Sequence, residues 1–323
     1  MDGKDMMGRI LGALAAAAML VACTSEAPGT AKEKASAPAT EASTEASAAG
    51  SGASGKGPAL WAVKDADTTI YLFGTIHMLP EGTEWLAPPV AKAFDASDTL
   101  VLEVLGTNDA KVTTPVILKM GYTPGLPPLA ERVPADERDE LAAAIRHAGV
   151  PAAALDAMET WLATMSLSTA RIQKLGYGIE GGVEYQLSTR AAAQRKRIEA
   201  LETVTEQLGF FDTLPEAEQR TLLVNSIDDI DDIDAVIRNA VTSWLAGDVD
   251  AVADLLEDDT RDSPGLAKRL LTDRNLNWAN WIAERLETTP GTVFVAVGTG
   301  HLAGKDSVQS MLEAKGLKVE RLN

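Results

Sequence analysis

The chain has 323 residues, 46% apolar and 24% charged, an ordinary globular composition that excludes wholesale disorder; its 26 Gly and 15 Pro fall in no period, which excludes a collagen-like rod. Lys and Arg number 29 against 47 Asp and Glu, a formal net charge of −18 and the wrong sign for a nonspecific nucleic-acid binder. One Cys permits no intrachain disulfide and no Cys-rich metal site, and three His limit any histidine-based one.

Residues 1–22 read as a signal peptide. Lys4 and Arg9 precede an apolar run, Ile10 to Ala22, that is too short to span a bilayer comfortably. The run ends in Leu20-Val21-Ala22-Cys23, which resembles the lipobox of bacterial lipoproteins, with the only Cys of the chain at the position the motif demands. That resemblance implies that Cys23 is lipidated, becomes the mature N-terminus and anchors the protein to a membrane. Thr24, where Asp would signal retention, implies an outer-membrane lipoprotein facing the periplasm of a Gram-negative-type cell envelope. Residues 23–58 read as the lipidated Cys and a disordered tether, because 24–58 hold no aromatic and no large aliphatic residue to repay chain entropy. The folded domain is expected at 59–323.

Within it, Leu60–Lys64 and Thr69–Phe73 flank Asp65-Ala66-Asp67 as a hairpin, and the second strand runs into Gly74-Thr75-Ile76-His77. A loop from Pro80 to Pro89 leads to a short helix at Val90–Ala96, then a buried strand at Thr99–Leu105 with Glu103 inside it. A carboxylate in such a strand needs solvent or a partner. Helices are expected at Pro134–His147, Ala152–Leu175, Pro215–Val224, Val241–Leu256 and Ser263–Leu286, with Glu184–Leu208 an interrupted strand or helix. The acidic run Asp228–Asp234 lacks the central Gly and terminal Glu of a calcium loop and reads as a helix start. Thr292–Val297 is an apolar strand entering Gly298-Thr299-Gly300-His301. A helix at Ser307–Lys315 and an edge strand at Leu317–Leu322 close the chain. The fold class is therefore α/β, a mixed sheet from N- and C-terminal strands with a large helical middle.

Motifs of dinucleotide-binding folds, P-loop nucleotidases, Ser-hydrolase elbows and the common zinc-peptidase helix are absent from the sequence. What stands out is a repeated pattern, an apolar strand running into Gly-Thr-x-His, ending once at His77 and once at His301. His147, on a charged helix, reads as structural. Together with Gly182-Val183-Glu184 and Leu187, Leu201-Glu202-Thr203 with Gln207, and Arg274-Asn275 with Trp278, these two ends resemble the TraB/PrgY/GumN/Tiki group over about residues 58–323, in the flavour of its exported GumN-like bacterial branch.

The resemblance implies a fold like that of the erythromycin-esterase-like, ChaN-like and Tiki proteins. It also implies a metal-dependent hydrolase of peptidase type, acting on a peptide or protein substrate. Carried onto this chain, the metal ligands would be His77, His301 and Glu103, with Glu184 and Glu202 as further acidic candidates. Two imidazoles and a carboxylate suit manganese, cobalt or zinc, which would lower the pKa of a bound water. A second carboxylate would act as general base, Arg274 would steady an anionic intermediate or a substrate carboxylate, and Asn275 would orient a ligand or water. Thr75 and Thr299 would supply supporting hydrogen bonds. The alternative is a non-catalytic regulatory lipoprotein whose pocket holds a peptide or other ligand without turnover. A purely structural envelope protein is disfavoured by the two mirrored His motifs.

Overall fold

The computed structural model describes residues 57–228, 233–260 and 264–323. The signal peptide, Cys23, nearly all of the tether and the centre of the acidic run lie outside the described residues. Alternation in the strands builds the sheet. Leu60, Phe73, Leu100, Leu102, Phe294 and Ala296 point to one face, where helices Pro88–Ala96 and Val183–Ala193 cover them. Trp61, Val63, Ile70, Leu72, Val101, Val293 and Val295 point to the other, beneath helices Asp273–Thr288 and Val308–Ala314. A sheet buried on both faces explains why these strands read as nearly continuous apolar runs.

Six strands are present among the described residues: β1 (Leu60–Lys64), β2 (Thr68–Thr75), β3 (Thr99–Val104), β4 (Arg197–Glu202), β5 (Gly291–Gly298) and β6 (Val319–Arg321), in the order β4-β3-β5-β2-β1-β6. The β1–β2 hairpin closes on Asp65, whose side chain accepts from the backbone N–H of Asp67 and Thr68. The β2, β3, β4 and β5 strands are mutually parallel; at one edge β1 runs antiparallel to β2, and β6 antiparallel to β1. The sheet is thus mixed and drawn largely from the two ends of the domain, with a helical middle, as the sequence predicts.

The position of β5 organises the site. It enters between β2 and β3, pairing Thr75 with Gly298 on one side and Leu102 with Ala296 on the other, while Val104 of β3 pairs Glu202 of β4. Register alone therefore brings the C-terminal ends of four parallel strands into one row. Open α/β sheets place ligands at such ends.

Several boundaries differ from expectation for identifiable reasons. The helix predicted over Ala152–Leu175 is two, Ala152–Asp156 and Thr160–Lys174. At the break, buried Arg132 donates to the carbonyls of Asp156 and Met158, and the Glu159 N–H donates to Gly121 O. The helix predicted over Val241–Leu256 is divided between Ile233–Ala246 and Val249–Thr260, because Gly247 takes a left-handed φ of 69°. Glu184–Leu208 resolves into helix Val183–Ala193, β4 and helix Val204–Asp212, and the latter begins with a capping box between Thr203 and Glu206. Ser263–Leu286 contains a π-helical turn, Lys268–Thr272, before Asp273–Thr288. Helix Ala110–Met120 has no counterpart in the sequence reading, since Pro115 lies inside it. Among the described residues, no helix is long and apolar enough to cross a membrane.

Candidate functional site

At the C-terminal ends of the parallel strands lies a cavity of about 180 Å³. Its walls are apolar and come from the helical middle, including Ile172, Phe210, Ile237, Ala240, Val252 and Leu271. Its polar floor holds His77, Glu103, Glu184, Gln207, Arg274 and His301. Glu202 and Asn275 stand behind this floor and hold residues that line it. His147 is exposed on the Arg138–Ala148 helix, away from the cavity.

Glu103 is carried into the row of strand ends by β3 and is almost wholly buried. Its Oε1 accepts from the Gly298 N–H at 2.6 Å, and its Oε2 accepts from Arg274 Nη2 at 2.7 Å and Gln207 Nε2 at 3.1 Å. Burial pushes the carboxyl up, but the Arg274 charge, with the two imidazoles and the Gly298 N–H, outweighs it and holds the group well below the usual carboxylate range.

Arg274 is the hub. One turn of helix carries Arg274, Asn275 and Trp278 on a single inward face. Arg274 grips Glu202 with Nε and Nη2, both at 2.8 Å, and Trp278 Nε1 donates to the same carboxylate at 3.1 Å. Its guanidinium lies 4.7 Å from the Trp278 ring centre and 5.4 Å from that of Phe210. Burial opposes its charge, but Glu103 and Glu202 raise its pKa further. Burial likewise raises the Glu202 carboxyl in spite of Arg274.

The histidines occupy matched places and opposite charge states. His301 has Asn275 Oδ1 at 2.6 Å from Nδ1, so Nδ1–H donates there and Nε2 is left to accept from Arg274 Nη1 at 3.1 Å. Burial and the Arg274 charge push its pKa down to about 3, and the ring is neutral. His77 meets Glu184 Oε1 at 2.5 Å through Nδ1, and Thr75 Oγ1 donates to the same oxygen. Burial opposes the charge on His77, but Glu184, with Glu103 beyond it, lifts the imidazole to about 9, so it is a cation at neutral pH. The rings face one point: a Cβ built on Gly298 would stand 3.4 Å from His77 Nε2, 3.7 Å from His301 Cδ2 and 3.1 Å from Glu103 Oε1.

This geometry overturns the metal reading. Among the described residues, no group of three or more His, Cys, Asp or Glu side chains is placed to hold a metal ion. The physical reason is that the donor atoms already serve one another. His301 Nε2 and Glu103 Oε2 are taken by the Arg274 guanidinium, itself a cation fixed within the cluster. His77, Glu103 and His301 thus do not form a site for manganese, cobalt or zinc. The metal-dependent hydrolase and metalloprotease reading falls with that site. Asn275 accepts from His301 Nδ1 and so orients that ring.

Glycines fix the approach of Glu184. A Cβ on Gly182 would lie 2.0 Å from His77 O, and one on Gly181 would lie 2.1 Å from Leu79 O. The Val183–Ala193 helix can therefore dock directly on the His77 segment, with the Val183 N–H donating to Ile76 O at 3.1 Å. Gly182→Ala is expected to cost about 1–3 kcal/mol by overpacking against backbone. It should also withdraw Glu184, lowering the His77 pKa followed by NMR titration; an unchanged imidazole pKa would refute this account.

Two positions of consequence carried no site signal in the sequence. Gln207 was visible only as a member of a family-like stretch, yet it donates to Glu103. Trp244 Nε1 donates to Gly74 O at 2.8 Å and pins the end of β2; an indole on an otherwise aliphatic helix face was the available clue.

No solved structure matches the chain. Among curated proteins it is similar to the uncharacterized protein YbaP of Escherichia coli (strain K12), 26% identical over 256 residues, covering 79% of this chain and 92% of the relative. The uncharacterized protein YbaP of Shigella flexneri matches with the same identity and coverage. The TraB/PrgY/gumN family model matches residues 59–321, nearly all of the folded region, and the chain belongs to that family.

Proposed function

We propose that this protein binds an apolar peptide or other small apolar ligand without turning it over, and so regulates the ligand's availability in the cell envelope. The observation that carries the reading is the contrast between the cavity's apolar helical walls and its short polar floor at the strand ends. Ligand pockets are built this way, with apolar surface for affinity and a few fixed polar groups for orientation. The floor is stiff, because Glu103, Glu202, Arg274, Asn275 and His301 are engaged with one another and hold a fixed shape. In the same reading the protein is a GumN-like lipoprotein with signal peptide 1–22, lipid on Cys23 and a tether to residue 58 that holds the domain off the periplasmic face of the outer membrane. Its fold is taken to resemble the erythromycin-esterase-like, ChaN-like and Tiki proteins.

The test is a fluorescence titration of the mature protein with N-phenyl-1-naphthylamine, a neutral apolar probe. Saturable binding is expected. Ala240→Trp, which fills the cavity with an indole, is expected to weaken it about tenfold or more, roughly 1.4 kcal/mol. Non-saturable fluorescence, or equal binding by the variant, would sink the proposal.

A further inference from the structure

Beside Gly298 the polar floor of the cavity has an opening with a definite chemistry. The point beside Gly298 where a side chain would begin lies 3.4 Å from His77 Nε2 and 3.1 Å from Glu103 Oε1. His77 Nδ1 is engaged by Glu184, and among the described residues Nε2 has no hydrogen-bond partner. Glu103 Oε1 accepts only the Gly298 N–H among the described residues and retains acceptor capacity. A donor and an acceptor therefore face the same small space on the polar floor of the cavity. The space exists because residue 298 is glycine.

We infer that this opening is a head-group subsite for a neutral amide, whose carbonyl accepts from His77 Nε2–H and whose N–H donates to Glu103 Oε1, while an attached apolar chain lies along the helical walls. Each charged alternative meets a like charge. A carboxylate on His77 would face Glu103, with Glu184 on the other side of the ring, and an ammonium on Glu103 would face the His77 imidazolium. Like-charge contacts in a desolvated site are costly, whereas the amide pairs both groups and adds no charge. Arg274 offers no second anchor for an anion, since its three nitrogens are directed to Glu103, Glu202, His301 and the Leu270 carbonyl. The inference rests on the binding reading and sharpens it to a ligand class: an apolar chain with a primary amide head.

Isothermal titration of the mature protein with octanamide, octanoate and octylammonium tests it, since the three share one chain and differ in the head. Octanamide is expected to bind about tenfold or more tightly than either ion. Gly298→Ala, allowed at this φ of −49° and still able to donate its N–H to Glu103, is expected to bring octanamide down to the level of the ions. Equal or tighter binding of octanoate or octylammonium by the unaltered protein would overturn the inference, as would an undiminished octanamide preference in a folded Gly298→Ala protein. Should that variant fail to fold, the three-compound series on the unaltered protein still decides. If N-phenyl-1-naphthylamine binds and none of the three compounds does, the amide subsite is refuted while the binding reading stands. If the naphthylamine does not bind either, the binding reading itself has failed.

Discussion

Replacing Arg274 by methionine lowers the melting temperature by on the order of 10 °C. Arg274 and its partners Glu103 and Glu202 are each more than nine-tenths buried or close to it, and removing the cation leaves two carboxylates without their counter-charge. Breaking a buried ion pair from one side costs about 3–5 kcal/mol, and each kcal/mol moves the transition of a domain this size by roughly 2–4 °C. His301 Nε2 loses its donor in the same step. Arg274→Lys restores the charge without the planar fork that serves Glu103 and Glu202 together, and should fall between the two. The triple variant Arg274→Met, Glu103→Gln, Glu202→Gln should recover much of the loss. Scanning calorimetry checks all three, and a loss of less than about 3 °C in Arg274→Met would show that the cluster is not electrostatically coupled in this way.

The second large effect is on pH. The folded pKa of His77 is raised from 6.5 to about 9, so the folded state holds a proton that the unfolded chain releases between these values. Its stabilisation is complete below about pH 6.5 and is lost as pH rises through 9. The folded pKa of His301 is depressed to about 3, so the unfolded chain takes up a proton that the folded state refuses, and stability falls as pH drops from 6.5 toward 3. Glu103, held well below its ordinary value, adds a further loss below about pH 4.5. The stability profile should peak near pH 6.5. On the alkaline side the melting temperature should decline by on the order of 5 °C between pH 6.5 and 9, a window in which His77→Gln should be nearly flat. A peak above pH 8 in the unaltered protein would contradict the assigned charge on His77.

Much of the site's location was legible before its chemistry was. His77 and His301 each follow an apolar strand and a Gly-Thr step, and side chains that leave strands of one sheet in this way gather at one edge. Glu103 announced itself as a carboxylate in an apolar strand. What the sequence could not convey was mutual occupation. Two histidines and a glutamate have the residue types of a metal site, and only the register that sets Glu202 beside Val104, with the helix face that aims Arg274 between them, shows the guanidinium holding Glu103 Oε2 and His301 Nε2. The protonation states were equally hidden, because they depend on Glu184 for one ring and on Arg274 and Asn275 for the other. In the fold, local periodicity located the strands well. The errors fell where a distant residue intervened, as Arg132 does at the break between the Ala152–Asp156 and Thr160–Lys174 helices, or where a proline masked a helix, as Pro115 does.

The insertion of β5 between β2 and β3 also dictates the order in which the molecule can be completed. The strand at the centre of the parallel sheet is translated after β2, β3 and β4, and its N–H at Gly298 reaches back 195 residues to Glu103. Until then β2 and β3 have exposed edges and no common neighbour, and the hairpin with β1 is the main sheet pairing available locally. Such long-range closure makes folding slow relative to a helical protein of the same size. Every chain terminated short of Gly291 lacks the middle of the sheet rather than its rim. The cavity floor and the two apolar layers packed on the sheet are therefore completed only when β5 enters, whereas the apolar clusters of the helical middle contain no residue of β5.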